Sequence, residues 1–225
     1  MASSTLAPGA GIRDEVATLK RERTISAAVD LFYERGYENT TLDAVAERLG
    51  VTKPFIYAHF HSKADLLTEI CTRGIASALD AINSILGLEA GPTGKLEELG
   101  RRFTTAVLQS QMHIAIFARE EKNLLPVEFD RISTMRRDFD RKLVALLEDG
   151  VAAGEFRIPD PQMMALAIGG MVSWAYVWYR PNGRLPLPDV AGEMSRLILT
   201  MVGAKPVSPT RAKRAAPAKL KPFGR

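Results

Sequence analysis

Apolar residues recur at i, i+3, i+4 and i+7 along most of the chain, and strand-like alternation is nearly absent. This spacing predicts a first helix from about Glu15 to Arg35. Its apolar face is Val16, Leu19, Ile25, Ala28, Val29 and Phe32, and Gly36 stops it. A second helix is predicted from Thr40 or Thr41 as N-cap, with Leu42, Val45, Ala46 and Leu49 buried and Gly50 ending it. Thr40 and Asp43 have capping-box spacing. A short third helix follows Thr52, with Pro54 in its first turn, where a missing N–H has no helical partner to lose. A fourth begins after Ser62 and extends through Leu66, Leu67, Ile70, Ile75, Leu79 and Ile82 to Leu86. GLEAGPTG, Gly87 to Gly94, is the sharpest boundary. Beyond it the pattern predicts helices over about Leu96–His113, Ile114–Asn123, Glu128–Gly154, Pro161–Tyr179 and Asp189–Val202.

The expected fold is all-α. Residues 1–14 read as a disordered arm and 15–62 as a three-helix domain. Residues 63–86 read as a linking helix, and 87–204 as a larger all-helical domain. The stretch Thr40–Lys63, TTLDAVAERLGVTKPFIYAHFHSK, has the helix, glycine turn and short helix of a helix-turn-helix. That motif reads DNA by laying its second helix in the major groove. Val51, Ile56 and Phe60 have the spacing to anchor such a helix. Thr52, Lys53, Pro54, Phe55, Tyr57, Ala58 and His59 are then left on or near the outward side. Thr41 and Ser62 cap helix N-termini, where backbone N–H groups and the dipole favour a phosphate, and Lys63 adds a cation beside the second. Tyr57 and His59 are candidate donors to phosphate oxygens, which set register and carry no sequence information.

Charge placement changes this picture more than composition does. The formal net charge is +4, but residues 205–225 hold seven cations and no acid. Subtracting those 7 from +4 leaves residues 1–204 at −3, so the basic pI of 9.3 belongs to the C-terminal stretch. With four prolines there, the stretch is expected to be a disordered basic tail, either solubilising or a non-specific phosphate anchor. Arg13 to Lys63 balances eight cations with eight acids, so DNA binding must rest on positioned contacts. Lys20, Arg21 and Arg23 are candidates for an N-terminal phosphate clamp.

Catalytic and metal chemistry find little support. Cys71 has no His at i+3 or i+4, and His59 and His61 point to opposite faces. No glycine-rich phosphate loop and no HExxH occur, so neither an enzyme, a cofactor nor a metal is expected. No apolar run approaches the length of a membrane span, and no secretory signal pattern opens the chain. The single cysteine suits a reducing cytoplasm.

The stretch GYENTTLDAVAERLGVTKPFIYAHFHSKADLL resembles the N-terminal domain of TetR-type transcriptional regulators over about residues 20–70. Its most specific piece is Tyr57, His59 and Phe60 followed by Ser62, Lys63 and Leu66. The resemblance implies an all-helical homodimeric repressor, released from double-stranded operator DNA by a small effector. Its C-terminal domain would both dimerise and bind that effector. Phe55 departs from the family's usual small hydroxyl residue, and a phenyl ring suits a thymine methyl, leaving Lys53 for a guanine.

Met163, Leu166, Ala167, Gly170, Met171, Trp174 and Val177 line one candidate dimer face. Val190, Met194, Leu197, Ile198 and Met201 line another. Candidate effector contacts are Phe103, Val107, His113, Phe117, Glu120, Arg136, Arg137 and Trp174, an apolar set with a few polar groups. WYRPNGRL and RRDFD further resemble regulators of lipid, sterol and aromatic-acid catabolism, which implies an acyl-CoA effector. Arg101, Arg102, Arg136 and Arg137 are candidate partners for its phosphates. A hydrophobic drug or a free acid is the alternative effector. An architectural protein coating DNA through its basic tail is the alternative function.

Overall fold

The structure is a computed structural model and describes residues 8–204. The expected basic tail and the first seven residues lie outside that range. Ten α-helices and one 3-10 turn form the described chain, and no strand occurs among the described residues. They are α1 (Pro8–Arg35), α2 (Leu42–Leu49), α3 (Lys53–Tyr57), α4 (Lys63–Leu86) and α5 (Pro92–Gln109). Then come α6 (Gln111–Glu120), the 3-10 turn Glu121–Asn123, α7 (Pro126–Ala152), α8 (Pro161–Ser173), α9 (Ala175–Trp178) and α10 (Leu187–Met201).

Two apolar clusters organise the molecule. The first joins Ile25, Phe32, Val45, Ile56, Phe60, Leu66, Leu67 and Ile70 of the N-terminal helices to Ile116, Phe117 and Ile132. The second collects α5, α7, α8, α10 and the C-terminal half of α4 around Ile82, Leu96, Phe139, Leu143, Ile168 and Ile198. α4 contributes to both, so it physically links the N-terminal unit to the larger bundle.

The turn chemistry is largely as the sequence suggests. Gly50 adopts φ 64°, a left-handed conformation with no Cβ penalty, and ends α2. Ser62 and Asp65 form a reciprocal capping box at α4. Thr41, not Thr40, caps α2 by accepting from the Ala44 N–H at 3.1 Å. Thr40 is buried, and its hydroxyl donates to the Gly36 carbonyl at 2.9 Å, closing the α1–α2 turn.

Several expectations are corrected. Residues 8–14, expected as a disordered arm, are helical and continue into α1. Val16 and Leu19 are exposed, since this end of α1 projects past the bundle. α5 and α6 part at Ser110, three residues before the expected break. The helix expected over Pro161–Tyr179 is interrupted at Trp174.

The second candidate dimer face is also revised. Val190, Met194 and Ile198 are core residues packed against α5. Gly100 permits that packing: a Cβ there would lie 2.8 Å from the Ser195 Cα. Ser195 is itself buried and donates to the Glu97 carbonyl at 2.7 Å.

Candidate DNA-reading face and ligand cavity

α3 is a five-residue helix held from beneath. Ile56 is fully buried and Phe60 is nearly so, against Phe32, Val45 and Ala46. Thr52, Lys53, Pro54 and Tyr57 remain exposed. Phe55 and His59 are half-buried, their rings edge to face with centroids 5.9 Å apart. The Lys20 ammonium of α1 stands over the Phe55 ring at 5.5 Å. So Phe55 is braced on both sides and still offers part of its ring outward.

Two cations of this face are engaged within the chain. Lys53 Nζ meets Asp43 at 2.5 Å, and that carboxylate raises the lysine pKa above its ordinary value. Both side chains are more than half exposed, so the pair is screened and easily exchanged for a base or phosphate. Lys63 Nζ donates to the Tyr37 carbonyl at 2.9 Å and lies 4.2 Å from the Tyr37 ring centroid. In this state Lys63 clasps the α1–α2 turn to α4. Thr52 begins α3 without a side-chain cap bond.

The proposed N-terminal clamp is divided. Arg21 forms a two-pronged pair with Glu69 at 3.0 and 2.9 Å and covers the Phe60 ring. Arg73 continues this network to Glu22 and Glu69. Hydrogen bonds from Arg21 hold the Glu69 carboxyl below its ordinary pKa. This network ties α1 to α4, so Arg21 is structural and Lys20 is the member nearest the reading helix.

The larger domain contains a cavity of about 230 Å³ between α4, α5, α6, α7 and α8. Cys71, Gly74, Ile75 and Ala78 form its α4 wall, and Phe103 and Val107 its α5 wall. Ile114 and Phe117 enter from α6, and Ile132, Arg136, Phe139 and Asp140 from α7. Leu166, Gly169, Gly170 and Ser173 complete it on α8. Burial pushes the Cys71 thiol up to about 12, so it contributes a neutral wall atom.

Four of the expected effector contacts, Phe103, Val107, Phe117 and Arg136, line this cavity. His113, Glu120, Arg137 and Trp174 do not. Trp174 is 61% exposed because α8 breaks there and turns its ring outward. Arg137 is exposed and donates to Thr134. His113 feels the charges of Arg73 and Glu22, on the α1–α4 side.

Glu120 lies beyond the cavity, one turn past Phe117. It accepts from the Tyr37 N–H at 3.2 Å and from Asn123 at 3.0 Å, while Arg119 donates to the Phe32 and Tyr33 carbonyls. These contacts fasten α6 to the reading head. Arg101 and Arg102 face a separate groove between α4 and α5, paired with Glu97 and Glu98. The expected effector contacts include none of the α4 wall, none of the α8 wall, and neither Ile132 nor Asp140 of α7; on α4, Gly74 and Ala78 are small residues at i, i+4 that leave space.

No helix among the described residues is long and apolar enough to cross a membrane. No cluster of three or more metal-binding side chains occurs among them.

Comparison with known proteins agrees along the chain. Residues 25–70 match the family described as bacterial regulatory proteins, tetR family. Residues 89–202 match the tetracyclin repressor-like C-terminal domain. The transcriptional repressor KstR2 of Rhodococcus jostii is 28% identical over 182 residues, covering 80% of this chain and 89% of its own. The regulator PfmR of Thermus thermophilus superposes with a TM-score of 0.72 at 28% identity, covering 79% of this chain and 97% of its own. AibR, solved with isovaleryl coenzyme A and operator DNA, shares the fold with a TM-score of 0.68 at 24% identity, over 79% and 97% of the two chains. The second family match alone spans half of the sequence, and the first covers the helix-turn-helix: the chain belongs to the TetR family of transcriptional regulators and is not an enzyme.

Proposed function

We propose that this regulator is a cytoplasmic homodimeric repressor that binds a palindromic operator and leaves it when a small apolar effector, an acyl-CoA thioester, enters the cavity. The observation that carries the reading is the pairing of a braced, outward-facing reading helix with an apolar cavity walled by α4, the helix that follows it. KstR2, over most of its length a relative, is a repressor, which favours repression.

Thr52, Lys53, Pro54, Phe55 and Tyr57 are the proposed groove contacts, with Lys53 exchanging Asp43 for a guanine and Phe55 meeting a thymine methyl. Thr41 and the capped start of α4 at Ser62 are proposed phosphate sites, joined by Tyr57, His59 and Lys63. Dimerisation is assigned to the outward face of α8 and α9, where Met163, Leu166, Trp174 and Val177 are exposed. A dimer must set its two reading helices about 34–36 Å apart, one DNA turn. An effector that tilts α4 changes that spacing, provided it prefers one of the two arrangements.

A mobility-shift assay on the DNA upstream of the protein's own gene, titrated with an acyl-CoA panel, tests the reading. A palindrome-specific complex dissolved by one class of thioester is expected. Binding with no preference for a palindrome and a steep loss with salt would instead favour an architectural role through the basic tail.

A further inference from the structure

Among the described residues, the only charged groups lining the cavity are Arg136 and Asp140, four residues apart on α7. That spacing places them on one helix face with Cβ atoms about 5–6 Å apart. The Arg136 side chain is exposed, and its guanidinium lies 4.4 Å from the Phe117 ring centroid, against a cavity wall. Among the described residues it donates to no side chain and pairs with no acid within salt-bridge distance. Asp140 likewise has no hydrogen-bond partner there, and burial raises its carboxyl pKa against the pull of Arg136.

The α8 wall is thin within this chain. A Cβ added at Gly169 or Gly170 would meet nothing within 4 Å, and Leu166 is 61% exposed on the face assigned above to dimerisation, so a second copy would stand behind this wall. A donor and an acceptor, neither with a hydrogen-bond partner among the described residues, therefore stand together in the lining of an otherwise apolar space.

We infer that Arg136 and Asp140 form a donor–acceptor clamp for the thioester and first amide of a pantetheine-type arm, and that this clamp rejects free carboxylates. The inference rests on the acyl-CoA reading above and narrows it. A thioester carbonyl accepts from Arg136 while the amide N–H two carbons from sulfur donates to Asp140. A free carboxylate satisfies Arg136 but offers Asp140 no proton and places a like charge beside it. The acyl group fills the apolar part. The cavity's volume, about 230 Å³, favours a short branched or single-ring acyl chain. Arg101 and Arg102 face another groove and are not phosphate partners at this site.

Calorimetry on the full-length protein tests this with isovaleryl and benzoyl groups, each as CoA thioester, N-acetylcysteamine thioester and free acid. For the better-fitting group, the truncated thioester is expected within about tenfold of the CoA thioester, and the free acid at least about tenfold weaker. Arg136→Gln, with its fold checked by circular dichroism, should weaken both thioesters about tenfold. Asp140→Asn should shrink the preference for thioester over acid. A free acid that binds as tightly as the thioester overturns the clamp and leaves the acyl-CoA reading standing. So does a truncated thioester more than a hundredfold weaker than its CoA parent, or a pair of variants without effect. Failure of every CoA thioester to bind removes both.

Discussion

Phe55 shows how a single residue changes meaning once its neighbours are known. By sequence it is an apolar side chain on a helix meant for polar readout. In the structure His59 and Lys20 hold its ring, so it meets a base with little rotamer entropy left to lose. Phe55→Ala should relax the preference for T at one operator position by about 1–3 kcal/mol, read from binding to a set of single-base operator variants. Retention of the full preference would refute the thymine contact.

His113 makes a different residue-scale prediction. Burial, then the Arg73 charge, holds its imidazole below the ordinary value of 6.5, with Glu22 opposing. As pH falls through 6.5 the unfolded chain takes up a proton that the folded chain refuses, so folding stability declines. The urea midpoint should drop between pH 7.5 and 5.5, and less steeply in His113→Gln. An unchanged slope in the variant would show that this imidazole does not contribute.

At the scale of elements, the bundle depends on a few close approaches. α5 and α10 touch through Gly100 and Ser195, where no Cβ fits without backbone movement. Gly100→Ala should therefore destabilise by about 1–3 kcal/mol although alanine is the better helix former, and thermal melting checks the sign. An unchanged or raised melting temperature would mean that α10 shifts freely.

Helical periodicity located α2 and α4 because each carries a side-chain cap and an apolar stripe, and α3 because Pro54 stands in its first turn. It misplaced the break at Ser110, where Ser is a weak stop and apolar residues continue on both sides. It also failed to tell which stripe of α10 faces the core, because an apolar stripe looks the same whether it meets the same chain or a second copy.

At the scale of the whole molecule, the cavity reaches the reading head by two routes. One is α4, whose Cys71, Gly74, Ile75 and Ala78 form a wall while its N-terminus starts at the Ser62 cap. The other is α6, where Phe117 lines the cavity and Glu120 holds the Tyr37 N–H one turn later. Glu120→Ala should leave effector affinity nearly intact and reduce effector-driven release from operator severalfold, measured by fluorescence anisotropy. Equal release in both proteins would confine coupling to α4.

The exposed α8–α9 face carries the dimer prediction. Trp174→Glu should shift the protein towards monomer in analytical ultracentrifugation and weaken binding to a palindrome far more than to a half-site. An unaltered dimer would place the interface elsewhere.

Local chemistry determined the helical class, the N-terminal reading unit, the glycine at Gly50 and most residues exposed on α3, because caps, turns and 3.6-residue periodicity act over a few residues. Only the tertiary structure decided which cations are free. Arg21, Lys63, Arg101 and Arg102 look alike in a sequence, yet each is engaged by a different partner on another turn or helix. It also decided that Arg136 and Asp140 line a cavity together with Gly74 and Gly170. A cavity is the space left where five helices pack, so its walls come from positions far apart in the chain that no single helix's pattern specifies.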